Sequence, residues 1–500
     1  MRQCSPNLAM QERDYELLMR TDRVTFRHLL ALLVLVAAAT CLVAQSAPST
    51  PDRPWTSTYE QQIETANTAY HSPAFTVDPN KVYSLPELID LAEEHNPQTR
   101  FGWERAKAEA AALGVARSEW YPVLGAIASG QVDRFALLLD SNFIRQTVST
   151  SELALTLNYS ILDLGRRPRI QQASAQLLAA NFGFNDAHRN VVYQVQQTYY
   201  TVLAAAAQQQ AAEANLANAQ AVQSAAQDRL AHGLSTRPDV LLAQSSTAQA
   251  QFNLQTAIGA YQNARGDLAT ALGTSASVAV EVKPVTSLTI PENLEDSVEQ
   301  LITRALQQRP DLLQQVADLR ASEAQVKQAK SAYYPTLTTN VLAGQQYLFG
   351  FQEQLPSAQT SLFDGSASAT LSWTIFNGGA RRSNVAQAEA TRRAAAAQVD
   401  ITRNQIADEV WRAYSNVKTA FRQREAATVL LQSAQESYNA ALEAYHYGVR
   451  TLLDVTSAQQ VLAQARSTDI TAQTQVLTSL ATLAFRTGDL LRTNAKQGKP

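Results

Sequence analysis

Most of this sequence is written twice, and any fold must satisfy both copies. A shift of 213 positions lays Leu88 and Ile89 on Leu301 and Ile302, Ala92 on Ala305 and Pro97 on Pro310. Without a gap, Ser118, Tyr121, Pro122 and Leu124 then fall on Ser331, Tyr334, Pro335 and Leu337. One inserted residue brings the run from Ile161 to Gly165 onto Ile375 to Gly379. One more brings Gly233, Thr236, Asp239, Val240, Ala243 and Gln244 onto Gly448, Thr451, Asp454, Val455, Ala458 and Gln459. Three islands in one order at a nearly constant offset define a tandem duplication, over residues 85–273 and 297–488.

Each copy reads as the same plan. A helix of about 35 residues ends at Tyr121-Pro122 or Tyr334-Pro335, because proline disfavours helix in the residue before it. An extended segment follows, then a polar loop (136–150 or 349–362) and a second extended segment. A very long helix runs to a glycine tip at Gly233 or Gly448, and a return helix ends near Gly273 or Gly488.

The extended segments alternate. Ala367, Ala369, Leu371, Trp373 and Ile375 share one face, and Ser366, Ser368, Thr370, Ser372 and Thr374 the other. In the first copy Leu153, Leu155, Leu157, Tyr159 and Ile161 alternate with Glu152, Ala154, Thr156, Asn158 and Ser160. A half-buried strand in a soluble sheet has this pattern, and so does a membrane barrel strand with lipid on one side and water on the other. Two hairpins, roughly 123–161 and 336–376, give only four strands per chain. About eight strands already fill a barrel with side chains, so a lumen needs several chains, and three would give twelve strands.

The helices are long by exclusion. From Ala380 to Tyr447 there is neither Gly nor Pro, and from Arg169 to Arg237 no Pro. At 1.5 Å per residue such a helix is on the order of 100 Å long. Val410, Val417, Leu431, Tyr438 and Tyr445 form one heptad row, and Tyr414, Phe421 and Leu442 another, which is coiled-coil packing with an imperfect seam. The fold class expected is mixed: long α-helical coiled coil plus a transmembrane β-barrel of four strands per protomer, which only several chains together can close.

The N-terminus reads as an export signal. Leu29 to Val43 is apolar, follows Arg23, Arg27 and His28, and is too short to span a bilayer comfortably. Residues 1–47 are read as signal peptide and upstream extension, with Met19 an alternative start. Cleavage after Ala44, Ser46 or Ala47 and lipidation of Cys41 both remain open. Residues 48–84 form an N-terminal periplasmic segment, 274–296 a linker with one or two short strands, and 489–500 a tail.

The two cysteines, Cys4 and Cys41, precede the expected mature start, which leaves no disulfide or thiolate chemistry. The histidines show no metal-ligand spacing. No paired carboxylates, Ser/His/Asp set or phosphate loop appears, so neither an enzyme nor a cofactor is expected. A formal charge of -3 gives no footing for nucleic acid.

Ile375-Phe376-Asn377-Gly378-Gly379 resembles the "L-F-D-G-G" junction of TolC-like outer-membrane efflux proteins. The run from Tyr445 to Val455 resembles their tip signature "Y-x-x-G-x-x-T-x-x-D-V". The resemblance implies a homotrimer in outer-membrane lipid with a periplasmic tunnel. That tunnel would meet a periplasmic adaptor (membrane fusion protein) and an inner-membrane pump in tripartite efflux or type I secretion. It further implies a gate in which Tyr445 and Arg450 link to Asp239 while Asp454 supplies an acidic ring. Ser457 and Pro238 depart from the family pattern, which implies one ring and a simpler latch. Thr236-to-Asp239 and Thr451-to-Asp454 also fit capping boxes, and both roles stay open. Gly233, Leu234, Ser235, Gly448 and Val449 form the expected adaptor-docking tips. The alternative reading is a periplasmic coiled-coil interaction or adaptor protein without a pore.

Overall fold

A computed structural model describes residues 81–139, 142–278, 280–283, 297–352 and 355–489, together with 63, 65, 66 and 78. The chain divides into two compact units, Met1–Ala74 and Phe75–Pro500, and every element from β1 onward belongs to the second. The expected signal peptide, Cys41, most of the 48–84 segment, 284–296 of the linker and 490–500 of the tail lie outside the described residues.

The elements run β1 (Val82–Tyr83), α1 (Leu85–His95), α2 (Pro97–Ser118), β2 (Val123–Leu139), β3 (Asn142–Leu162), α3 (Arg166–Ala231) and α4 (Arg237–Ala271). After β4 (Glu281–Val282) the order repeats as α5 (Val298–Gln308), α6 (Pro310–Ser331), β5 (Thr336–Gln352), β6 (Leu355–Ser372), α7 (Ala380–His446) and α8 (Leu452–Thr487). β1 and β4 pair in parallel, so one short strand of the linker is seen.

The opening helix of each copy is two helices, not one of about 35 residues. The breaks fall at Asn96-Pro97 and Arg309-Pro310, where the preceding residue is extended (φ -67, ψ 129 and φ -66, ψ 122). Proline imposes that geometry on its neighbour and supplies no N–H to continue the helix.

β2, β3, β5 and β6 form one antiparallel sheet in that order. The strands run to Leu139 and Gln352 and resume at Asn142 and Leu355. Most of what reads as polar loop at 136–150 and 349–362 is therefore strand, because backbone ladder bonds hold a strand whatever its side-chain polarity. At the other end β6 stops at Ser372, so Trp373, Thr374 and Ile375 continue the alternation beyond the ladder.

The register assigns faces. Leu124, Leu157, Val341 and Ala367 lie on one rung, and Ala128, Leu153, Gln345 and Phe363 on another of the same face. On the opposite face Val123, Asn158, Asn340 and Ser368 share a rung, as do Ser129, Glu152, Gln346 and Leu362. The first face is mainly apolar and uncovered, with Leu153 64%, Leu155 57% and Phe363 71% exposed. The second is mainly polar. Its tightest point is Gly344, where a Cβ would meet Ala154 Cβ at 2.5 Å and the Leu153 carbonyl oxygen at 2.6 Å. Only glycine fits so close to the neighbouring strand. β2 and β6 each have one strand neighbour, so both edges are open in the single chain.

α3 packs on α4 and on α6, α7 packs on α8 and on α6, and α8 also packs on α3. The heptad rows are core: Val410, Val417, Tyr438 and Tyr445 are buried, with Leu431, Leu442, Tyr414 and Phe421 packed beside them. One buried cluster surrounds Leu88, Val191, Val195, Leu268, Leu272 and Val280, near the short parallel strands. Another, around Val222, Val240, Tyr438, Leu452 and Val455, lies towards the tips. Among the described residues no helix is long and apolar enough to cross a membrane, a statement that leaves a closed sheet open.

Candidate functional site

The two helix tips are built alike. At the end of α3, Gly233 adopts φ 72, its N–H bonds to the Leu230 carbonyl (3.0 Å), and the Leu234 N–H reaches the Arg229 carbonyl (2.8 Å). At the end of α7, Gly448 has φ 75, with Gly448 N–H on Tyr445 O (3.0 Å) and Val449 N–H on Ala444 O (2.9 Å). Both are Schellman closures, which place glycine in the left-handed region and satisfy the last carbonyls of the helix.

Each chain then restarts a helix with its own cap. The Asp239 carboxylate accepts from Thr236 N–H (2.9 Å), the Thr236 hydroxyl (2.7 Å) and the Ser235 hydroxyl (3.1 Å). The Thr236 hydroxyl and then its amide hold this carboxyl below the usual aspartate range. The Asp454 carboxylate accepts from Thr451 N–H (3.0 Å) and the Thr451 hydroxyl (2.9 Å), while its own N–H reaches Thr451 Oγ1 (3.4 Å). Its pKa is lowered chiefly by the Thr451 amide, then by the Thr451 hydroxyl, with Arg450 a smaller influence. Arg450 lies 3.5 Å from Asp454.

Within one chain, then, Asp239 binds Ser235 and Thr236, and Arg450 faces Asp454. Neither Tyr445 nor Arg450 bonds Asp239 in the single chain. Tyr445 is buried at 5% exposure, and its hydroxyl has no hydrogen-bond partner among the described residues. Its ring lies 4.5 Å from the Arg229 guanidinium, and Arg229 Nη1 donates to its carbonyl at 2.5 Å. This clasp joins the end of α3 to the end of α7. Arg229 was not visible to motif reading, because the matching position of the second copy is Ala444 and a lone charge on an Ala/Gln-rich helix looks like solvated surface. Leu234 (69%) and Val449 (77%) are exposed as tip residues. Two further apolar groups escaped sequence reasoning, Tyr447 at 85% and Leu453 at 65% exposure. Gly233 and Gly448 are exposed, and Ser235 is half-buried.

Nothing at the tips resembles a reaction centre. No group of His, Cys, Asp or Glu among the described residues could hold a metal ion. An open groove of about 740 Å³ between α7 and α8 is lined by residues such as Asn416, Thr419, Gln423, Gln464 and Ser467, neutral amides and hydroxyls.

The comparisons with known proteins agree with one another. The family described as "Outer membrane efflux protein" matches residues 88–274 and again residues 301–489. Protein CyaE of Bordetella pertussis is 29% identical over 424 residues, covering 83% of this chain and 86% of that protein. Outer membrane protein OprJ of Pseudomonas aeruginosa is 26% identical over 440 residues, covering 86% and 89%. Among solved structures, the outer-membrane channel OprN superposes with a TM-score of 0.71 at 19% identity, covering 84% of this chain and 98% of that one. At that identity it speaks for the fold alone. With the family matched over both halves, the chain belongs to the outer membrane efflux protein family of outer-membrane channels.

Proposed function

We propose that three copies of this duplicated chain close a twelve-stranded barrel in the outer membrane and a helical tunnel in the periplasm. The assembly is a passive exit duct for tripartite efflux or type I secretion. The observation that carries this is the sheet, with one apolar uncovered face, one polar face and two open edges. Membrane strands need that division, and pairing β6 of one copy with β2 of the next removes every edge.

At the far end, the tips form the gate and the docking surface. Arg450 meets Asp239 of a neighbouring helix pair, the Tyr445 hydroxyl, enclosed in the single chain, joins them when its ring turns outward, and Asp454 contributes one acidic ring; each carboxylate keeps its capping bonds while offering remaining lone pairs. Leu234 and Val449, presented by Gly233, Ser235 and Gly448, dock a periplasmic adaptor that leads to an inner-membrane pump. An exposed charge pair contributes only about 0.2–1 kcal/mol, so a closed state held by three such sets yields to a modest binding energy.

The barrel is tested by charge. Leu155→Arg, on the apolar face, should abolish assembly of outer-membrane trimers, since Arg at a bilayer midplane costs roughly 2–4 kcal/mol. Thr156→Arg, on the polar face, should assemble. Equal assembly of the two would overturn the barrel. The gate is tested separately by Tyr445→Phe with Arg450→Ser, which should raise single-channel conductance; unchanged conductance tells against the latch.

A further inference from the structure

Where each hairpin hands over to its long helix, the same contact occurs twice. Arg166 stacks on Trp120 at 4.7 Å, and Arg381 stacks on Tyr333 at 5.2 Å. Trp120 and Tyr333, 213 positions apart, occupy matching places, while Arg166 is the first residue of α3 and Arg381 the second of α7, so the same contact is made by arginines one residue out of step. Both arginines are used internally. Arg166 donates to the Ser160 carbonyl at the end of β3. Arg381 donates to the Ile375 carbonyl at 2.7 Å and the Ala332 carbonyl at 3.5 Å. They fasten strand end to helix start.

Each is followed by a second arginine, Arg167 and Arg382, and these two are exposed, with no hydrogen bond or ion pair among the described residues. The chain entering and leaving each hairpin at this end carries exposed aromatic rings. Tyr121 (71%), Tyr334 (58%), Trp373 (61%) and Phe376 (84%) are all exposed, and Trp373 donates to the Tyr333 carbonyl at 3.1 Å. Arg166 also lies 5.6 Å from Tyr159, which belongs to the apolar face of the sheet. The patch is thus continuous with that face at the end where the strands stop.

We propose that these two junctions are binding stations for the headgroups of anionic glycerophospholipids, with the lipid phosphate on Arg167 in one copy and on Arg382 in the other. The proposal rests on the apolar face of the sheet being the lipid-facing one. Amphipathic rings settle at headgroup depth, with the ring body in acyl chains and its polar edge in water. A guanidinium at that depth offers a planar fork that matches a phosphodiester better than an ammonium does. The first arginine of each pair is held by backbone carbonyls, which leaves the second to recognise the lipid. A duct under load would thereby be fixed in depth at the ring where barrel becomes tunnel.

The test compares wild-type trimers with Arg167→Gln/Arg382→Gln trimers, each reconstituted into nanodiscs of equal phosphatidylglycerol and phosphatidylcholine and released into a native mass spectrometer. Wild type should retain phosphatidylglycerol in preference. A basic group near an anionic surface is worth about fivefold in binding, so the double variant should lose roughly that factor per site. Arg167→Lys/Arg382→Lys should keep part of the preference. Three results overturn the proposal: no preference in wild type, an unchanged preference in the glutamine variant, or trimers of that variant dissociating in nanodiscs where wild-type trimers persist. The last would assign the arginines to contacts between subunits. If wild-type trimers fail to enter bilayers at all, the lipid-facing reading of the sheet falls first. Trimers that insert and conduct but show no preference lose only the headgroup stations.

Discussion

Asn96 and Arg309 stand at matching places and answer the same difficulty differently. Each precedes the proline that starts the second helix of its pair, and each reaches a carbonyl at the end of the return helix. Asn96 Nδ2 donates to Ala271 O at 2.8 Å, and Arg309 Nη1 to Arg486 O at 3.4 Å. The asparagine junction is neutral, and the Asn96 Oδ1 accepts from Gln98 N–H at 2.8 Å, capping α2. The arginine junction draws in four further charges. Arg309 bonds Asp311 twice (3.1 and 2.6 Å) and Glu409 at 2.6 Å, while Arg486 reaches Glu409 at 2.9 Å. Arg189, 2% exposed, donates to Phe485 O at 3.2 Å and lies 3.6 Å from Asp311. One geometric need, satisfying orphan carbonyls at a helix end, is met once by a single amide and once by a network that ties α3, α6, α7 and α8 together. Similarity of backbone therefore does not make the two copies mechanically equivalent: the second junction holds the first copy as well as itself.

That contrast breaks most readily at Arg309. Arg309→Ala strands Asp311 and Glu409 with reduced compensation and should lower stability by about 3–5 kcal/mol. Asn96→Ala, which loses a cap and one neutral bond, should cost about 0.5–2 kcal/mol. Thermal midpoints followed by helical ellipticity decide this, and equal losses would show that the charged network adds nothing to the neutral solution.

The ranking should invert at the closing glycines. Gly273 (φ 85) and Gly488 (φ 84) end the two return helices in the left-handed region. A Cβ at Gly273 would meet Asn96 Cα and Pro97 Cδ at 2.9 Å, whereas at Gly488 the nearest atoms, Arg309 Cγ and Gln308 Cβ, are at 3.6 Å. Gly488→Ala should carry only the left-handed cost of about 1–2 kcal/mol, and Gly273→Ala that plus roughly 1–3 kcal/mol of overpacking. The same midpoints give the answer, and a larger loss for Gly488→Ala would place the tighter packing at the wrong junction.

The smallest effect is one of pH. Burial pushes the Asp311 carboxyl up, but its hydrogen bonds to Arg309 and the charge of that arginine outweigh this, so its pKa is lowered. A depressed carboxylate stabilises the fold fully above its unfolded value, about 3.9, and the contribution fades as pH falls through the folded value. Asn96 does not titrate. On acidification below about pH 4, amide exchange in the first turn of α6 should therefore quicken before that in the first turn of α2. Simultaneous loss would mean that the network does not govern the local opening.

Much of the architecture is legible because it depends on exclusion and period. The absence of Gly and Pro between Ala380 and Tyr447 forces a long helix, and α7 runs from Ala380 to His446. The alternation around Leu153 to Tyr159 matches the face assignment given by the register. What escaped has physical reasons too. The alanine pattern of the opening helices runs straight through Pro97 and Pro310, so periodicity hid the breaks that place Asn96 and Arg309. Side-chain polarity near 136–150 suggested loop, while strand length is decided by ladder partners that no local window contains. At the tips the glycines and capping boxes could be read from spacing, since they bond within four or five residues. The clasp of Arg229 on Tyr445 joins positions more than two hundred residues apart and leaves no local trace.

The tips close their helix-end hydrogen bonds within themselves, through Gly233 and Thr236 on one side and Gly448 and Thr451 on the other. Leu234, Tyr447, Val449 and Leu453 are therefore displayed on a frame that does not depend on them. Such positions can mutate without unfolding the chain, so the surface proposed to meet an adaptor is also the one most open to evolutionary drift. A lineage could acquire a new assembly partner there while the hundred-ångström scaffold behind it stays unaltered.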